Sequence, residues 1–265
     1  HAVRRNPEEA IKAYKEGLGA ITEVQGLETV ILDRQRYMEL AIHIGDSCQH
    51  LRPPEYAQAI QFYSQAKEIA REDGIPHAMA TCLSNEAFCW YRHLRKPVSP
   101  LTIDFIRDLY TDSMEIFSTL ERGRESIEDQ VRFFDAHDMA YVSFENFLYD
   151  EGRHEEALQI AQSRRARALR VFIEKKCSLP ISKALDVKEM QTLAGSIGTT
   201  FVLYSLAPLR CKNSIRIWVV SATGVNSLEI EASSLLMDVN KFSEAMKEIQ
   251  GALRKNIRTA LGKTS

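Results

Sequence analysis

The chain has 265 residues, 45% of them hydrophobic and 26% charged, the balance of an ordinary globular protein long enough for one large or two modest domains. It contains no run of about 18 apolar residues, which excludes a membrane-spanning helix. The opening segment HAVRRNPEEA leads into a charged helical pattern rather than a signal peptide. The net charge of −2 is unevenly spread: residues 1–150 carry 16 basic and 25 acidic side chains, and residues 151–265 carry 18 and 11. Attraction between oppositely charged segments explains this more simply than a nucleic-acid surface.

The five cysteines, Cys48, Cys82, Cys89, Cys177 and Cys211, are scattered. Cys82 and Cys89 stand about 10 Å apart along a helix, beyond disulfide reach, and no pair has zinc-ligand spacing. Buried thiols in a reducing compartment are the expectation. With it go a cytoplasmic location, no cofactor and no metal.

In chain order, residues 7–176 read as helical almost throughout. Pro7 opens a helix with Glu8 and Glu9 in its first turn. Ile31 to Leu51 follows, with Tyr37, Leu40, Ala41, Ile44 and Cys48 on one face. Pro53-Pro54 stops that helix and starts EYAQAIQFYSQAKEIARE, which Gly74 and Pro76 end. HAMATCLSNEAFCWYRHL comes next. Pro97 and Pro100 then bracket a turn before LTIDFIRDLYTDSMEIFSTLER, and two further helices span about 128–150 and 153–177. A pattern of small residues and an aromatic recurs as Ala10-Tyr14-Gly17 and Ala59-Tyr63-Ala66, and Ala157-Ala161 repeats its first half. Small residues at this spacing let helices approach closely beside a large ring. The offsets of 49 and 98 residues between the copies indicate a solenoid of helix pairs.

After Cys177 the character changes. DVKEMQTLAGSIG is a short helix ended by Gly198, FVLYSL and IRIWVVSA are strands, and VNSLEIEA alternates as a third after a turn at Thr223-Gly224. Residues 233–261 return to an amphipathic helix, with Leu236, Val239, Phe242, Met246, Ile249 and Leu253 on one face. Three strands and a helix are too few for an independent domain.

PEEAIKAYKEGL, YAQAIQFYSQAKEIA and EGRHEEALQIA resemble the second helices of tetratricopeptide repeats (TPRs), and LSNEAFCWY resembles a first helix. EEALQIAQSRRARAL followed by TTFVLYSLAPLRCKNSIRIWVVSATGVNSLEI is similar to the junction of the TPR–CHAT family, where repeats precede a caspase-like CHAT domain. Arg164, the RAR-x-L element (Arg165, Arg167, Leu169) and the strand pair around Tyr204 and Trp218 mark that junction. The resemblance implies a mostly α protein, with an antiparallel helical-hairpin solenoid over 1–178 and a small α+β segment, the start of a caspase-like fold, over 179–265. It further implies that the catalytic histidine and cysteine lie beyond Ser265, and that a complete member has cysteine peptidase activity gated by its repeats. The alternative is a non-catalytic TPR adaptor whose truncated or inactive CHAT segment only caps the solenoid.

No residue set within the chain reads as catalytic. All seven histidines fall in the helical half, and Cys177 and Cys211 lack a nucleophile motif. LGKTS at the C-terminus has Ile257 where a phosphate-binding loop needs glycine. RRARALR reads as structural ion pairing with the acidic repeats rather than a nucleic-acid stripe. His137, beside Asp135 and Asp138, reads as a solvated face, because no second histidine stands four residues away. The repeats suit a protein or peptide partner. Asn85, Phe88 and Arg92 of one first helix, with Met38 and Ile42 of the preceding pair, are the groove candidates, and Phe88 and Met38 read equally well as core between repeats. An exposed strand edge would invite self-association.

Overall fold

A computed structural model describes residues 6–25, 28–94, 99–124, 126–164, 186–208 and 213–231. These are mostly helical, with a small antiparallel sheet towards the C-terminal end. They fall into two compact units, one ending at Ala140 and the other beginning at Tyr141. The domain division expected at residue 178 and the helix expected over 233–261 lie outside the described residues.

In the first unit, helix α1 (Pro7–Ala20) starts at Asn6, whose side-chain oxygen accepts from the Glu9 amide at 3.4 Å. Strands β1 (Thr22–Gln25) and β2 (Glu28–Ile31) then pair antiparallel, with Thr22 opposite Ile31. This hairpin interrupts the expected helical run, and the next helix, α2 (Arg34–His50), begins after it on an Asp33 cap that accepts from the Arg36 amide at 2.9 Å. Helix α3 is Tyr56–Glu72, α4 is Pro76–His93 and α5 is Pro100–Arg122, capped by Ser99. Prolines at the first turn of α4 and α5 sit where no backbone donor is needed. Helix α6 (Ile127–Asp150) contains the division between the units.

Helices α1 to α5 pack in chain order, each against the next. Two core clusters hold α2, α3 and α4 together. One joins Met38 and Ala41 to Ala66, Ile69, Ala70, Ala78 and Cys82. The other joins Ile44 and Cys48 to Ala59, Ile60, Tyr63 and Cys89. The repeated small–aromatic–small pattern explains this closeness: Ala59, Tyr63 and Ala66 are all fully buried, and the Tyr63 ring sits against the bare backbone of Gly45. At the first copy of the pattern, Gly17 faces the side chain of Leu40.

In the second unit, helix α7 (residues 154–164 as described) buries Ala157, Leu158 and Ala161. Helix α8 (Val187–Ile197) opens on a reciprocal capping box between Asp186 and Glu189. It closes on Gly198 at φ 62°, the left-handed conformation that glycine takes without strain. Strands β3 (Phe201–Pro208), β4 (Asn213–Ser221) and β5 (Gly224–Glu231) form an antiparallel meander in that order. Its register sets Leu203 opposite Trp218 and Trp218 opposite Ser227. Trp218 and Val220 pack with Leu158, Ala161, Val187 and Met190. Ile217 and Val219, pointing to the other face of β4, are also buried.

Candidate functional site

Of the five groove candidates, Met38 and Ile42 lie on α2 and Asn85, Phe88 and Arg92 on α4. Ile42 is half-buried and packs against both core clusters. Phe88 is half-buried and edge-on to Tyr56, with ring centroids 6.3 Å apart. Arg92 is exposed in the last turn of α4. Asn85 donates through Nδ2 to Asp46 Oδ1 of α2 at 3.4 Å, the long limit of a hydrogen bond. Met38 differs. It is 4% exposed and belongs to the core between α2, α3 and α4, so it lines no open groove.

Asp46 links α2 to both α3 and α4. Its Oδ1 accepts from the Tyr63 hydroxyl at 2.6 Å, and the same hydroxyl accepts from Gln49 Nε2 at 2.6 Å. Burial, followed by the nearby Asp46 carboxylate, pushes the Tyr63 phenol well above its ordinary range, so it stays a donor. One tyrosine of α3 thereby fixes an aspartate and a glutamine of α2, and the aspartate meets an asparagine of α4.

The second feature is a buried charge cluster within the second unit. Glu145 of α6 is fully buried. Its carboxylate accepts from Ser205 Oγ of β3 at 2.8 Å, from Arg164 Nη1 of α7 at 3.2 Å and from Arg216 Nη1 of β4 at 3.4 Å. Arg216 is itself fully buried. It reaches Glu229 of β5 at 3.4 Å and lies over the Tyr149 ring, 4.1 Å from its centroid. Burial raises the Glu145 carboxyl above its usual value, while Ser205, Arg164 and Arg216 pull it back down. Neither Glu145 nor Arg216 was identified from sequence. The signal was a charged residue inside each apolar run, YVSFENFL and IRIWVV. Of the junction residues, Arg164 pairs with Glu145; Arg165, Arg167 and Leu169 lie outside the described residues.

Cys48, Cys82 and Cys89 are all buried. Burial pushes the Cys48 thiol up to about 11 and the Cys82 thiol up to about 12, so both stay protonated. Cys48 Sγ donates to Gln58 Oε1 at 3.1 Å. Cys177 and Cys211 lie outside the described residues. Among the described residues, no group of three or more His, Cys, Asp or Glu could hold a metal ion, and no helix is long and apolar enough to cross a membrane. No family model matches the sequence, and no curated protein or solved structure shows significant similarity to it.

Proposed function

We propose that this chain is the regulatory scaffold segment of a TPR–CHAT protein. In this reading α1 to α5 are degenerate repeats, and the face formed by Ile42, Asn85, Phe88 and Arg92 takes a peptide or protein partner. The strands β3 to β5 open a caspase-like domain whose catalytic part lies beyond Ser265. The observation that carries the reading is the Glu145 cluster. One helix-borne carboxylate holds Arg164, at the edge of the junction element, together with Ser205 and Arg216 of the sheet. Buried ion pairs of this kind fix one arrangement of the elements they join, because breaking one leaves a bare charge in a low-dielectric interior. Such a joint suits a segment that transmits the state of its helices to a sheet.

The test uses a chain extended past Ser265, assayed for cysteine-dependent peptide cleavage with and without a ligand selected from a peptide library. Arg92→Glu and Asn85→Ala should weaken ligand capture about tenfold, ~1.4 kcal/mol, and reduce ligand-dependent cleavage in parallel. Cleavage indifferent to both substitutions would remove the gating role. Ligand capture with no cleavage at all would leave the adaptor reading in its place.

A further inference from the structure

Two histidines 60 residues apart in sequence meet at the surface of the first unit. His77 Nε2, in the first turn of α4, lies 2.9 Å from His137 Nε2 of α6. The place expected to be a solvated face is therefore a built one. The His137 ring is half-buried between Phe117 and Phe133, with both centroids 4.3 Å away. His77 stands edge-on to the same two phenyl rings, at 6.4 and 6.1 Å. His137 Nδ1 lies 2.6 Å from the Phe133 carbonyl oxygen, to which it donates. That bond places the proton on Nδ1 and leaves the lone pair of His137 Nε2 facing His77.

We infer that His77 and His137 form a bis-imidazole site for a late first-row divalent ion of the copper(II) or nickel(II) class, with water completing the coordination. Three observations support it. First, cis ligands at about 90° on bonds of about 2.0 Å stand about 2.8 Å apart, close to the spacing of the two Nε2 atoms. A tetrahedral ion would spread them to about 3.3 Å. Second, a ligating histidine usually donates its other N–H to a carbonyl, as His137 does to Phe133, and this fixes the ring for the metal. Third, the flanking phenyl rings hold the imidazoles in place, so little freedom is lost on binding.

In the metal-free protein the His77 Nε2–H donates to His137. On binding, that proton moves to His77 Nδ1 and both Nε2 lone pairs go to the ion, so no net proton is released. Arg124 opposes the ion. Its guanidinium lies over Phe133, 4.6 Å from the centroid, and that ring stands 4.3 Å from the His137 ring, which brings the positive charge near the proposed site. The site is therefore tuned by a repelling cation, which gives the proposal a test of its own.

The experiment titrates the whole chain with Cu²⁺ and Ni²⁺ by calorimetry, and records the electron paramagnetic resonance of the Cu²⁺ form. One equivalent should bind, with two equatorial nitrogens in the spectrum. His77→Gln and His137→Gln should each lower affinity at least tenfold, and Arg124→Ala should raise it several-fold. His93→Gln is the control and should leave affinity unchanged. Should His137→Gln fail to fold, the exposed His77→Gln and Arg124→Ala variants still decide. Affinity unaffected by His77→Gln, a decrease with Arg124→Ala, or a spectrum lacking the nitrogen pair would each overturn the proposal.

Discussion

A Cβ atom on Gly45 would stand 2.7 Å from Cζ of Tyr63 and 2.8 Å from its Cε1. The glycine of α2 is the socket for the tyrosine of α3, and the hydroxyl at the far end of that ring is tied to Asp46 and Gln49. Backbone approach and hydrogen bonding at this crossing thus depend on one pair of residues.

Gly45→Ala should destabilise the first unit by about 1–3 kcal/mol, the usual cost of forcing extra volume into a packed crossing. Tyr63→Phe should cost about 1–3 kcal/mol for a different reason, since it leaves Asp46 and Gln49 without their buried partner. Adding Tyr63→Phe to Gly45→Ala should give no rescue, because the clash is with ring carbons and not with the hydroxyl. Urea denaturation of the two single variants and the double variant would measure this.

Glu145→Ala should destabilise the second unit by about 3–5 kcal/mol, because it deprives the buried Arg216 of one of its carboxylates. Glu145→Gln should cost far less. The amide oxygen still accepts from Ser205 or an arginine, whereas alanine offers no acceptor at all. Denaturation followed by the fluorescence of Trp218, which is buried in this unit, would separate the two outcomes.

The same carboxyl sets a pH dependence. Its folded pKa is raised by burial, so the folded protein holds the proton more tightly than the unfolded chain does. The associated stability is full below the ordinary carboxylate range and is lost as pH rises through the folded value. Wild-type stability should therefore fall relative to Glu145→Gln as pH rises from about 4 towards neutrality. A stability difference between the two that does not change with pH would remove this account.

Cys48 and Cys82 should resist thiol reagents in the native protein and react only on unfolding, since burial keeps both protonated. Mass mapping after brief alkylation at about pH 8, with and without denaturant, checks this residue by residue.

The helical half was legible because its signals are local. Pro53-Pro54, Gly74-Pro76 and Pro100 mark the helix ends. The Ala59-Tyr63-Ala66 pattern marks the face that meets α2, and Gly198 the end of α8. The β1–β2 hairpin escaped notice because its strands have only four residues each, too few for alternation to stand out against neighbouring helices. The groove candidates show the limit of helical periodicity. Alignment with repeat first helices puts Met38 and Ile42 together on α2, but the packing of α3 and α4 covers Met38. Glu145, Arg216 and the His77–His137 pair join residues 60 or more positions apart. Their partners become visible only when the helices and strands are packed, although a charge amid YVSFENFL already announces that a partner must exist.

The Glu145 cluster also governs where this chain can be cut. Glu145, Arg164, Ser205, Arg216 and Glu229 all follow Ala140, so a dissection between Ala140 and Tyr141 leaves the whole network on one piece. A piece ending between Asp150 and Phe201 would strand the carboxylate of α6 without the serine and arginine of the sheet. A piece beginning at α8 would carry Arg216 without Glu145, keeping Glu229 among its described partners. Fragments for expression, or products of limited proteolysis, should therefore survive as folded bodies when α6 keeps company with β3 and β4, and should aggregate or be degraded when it does not.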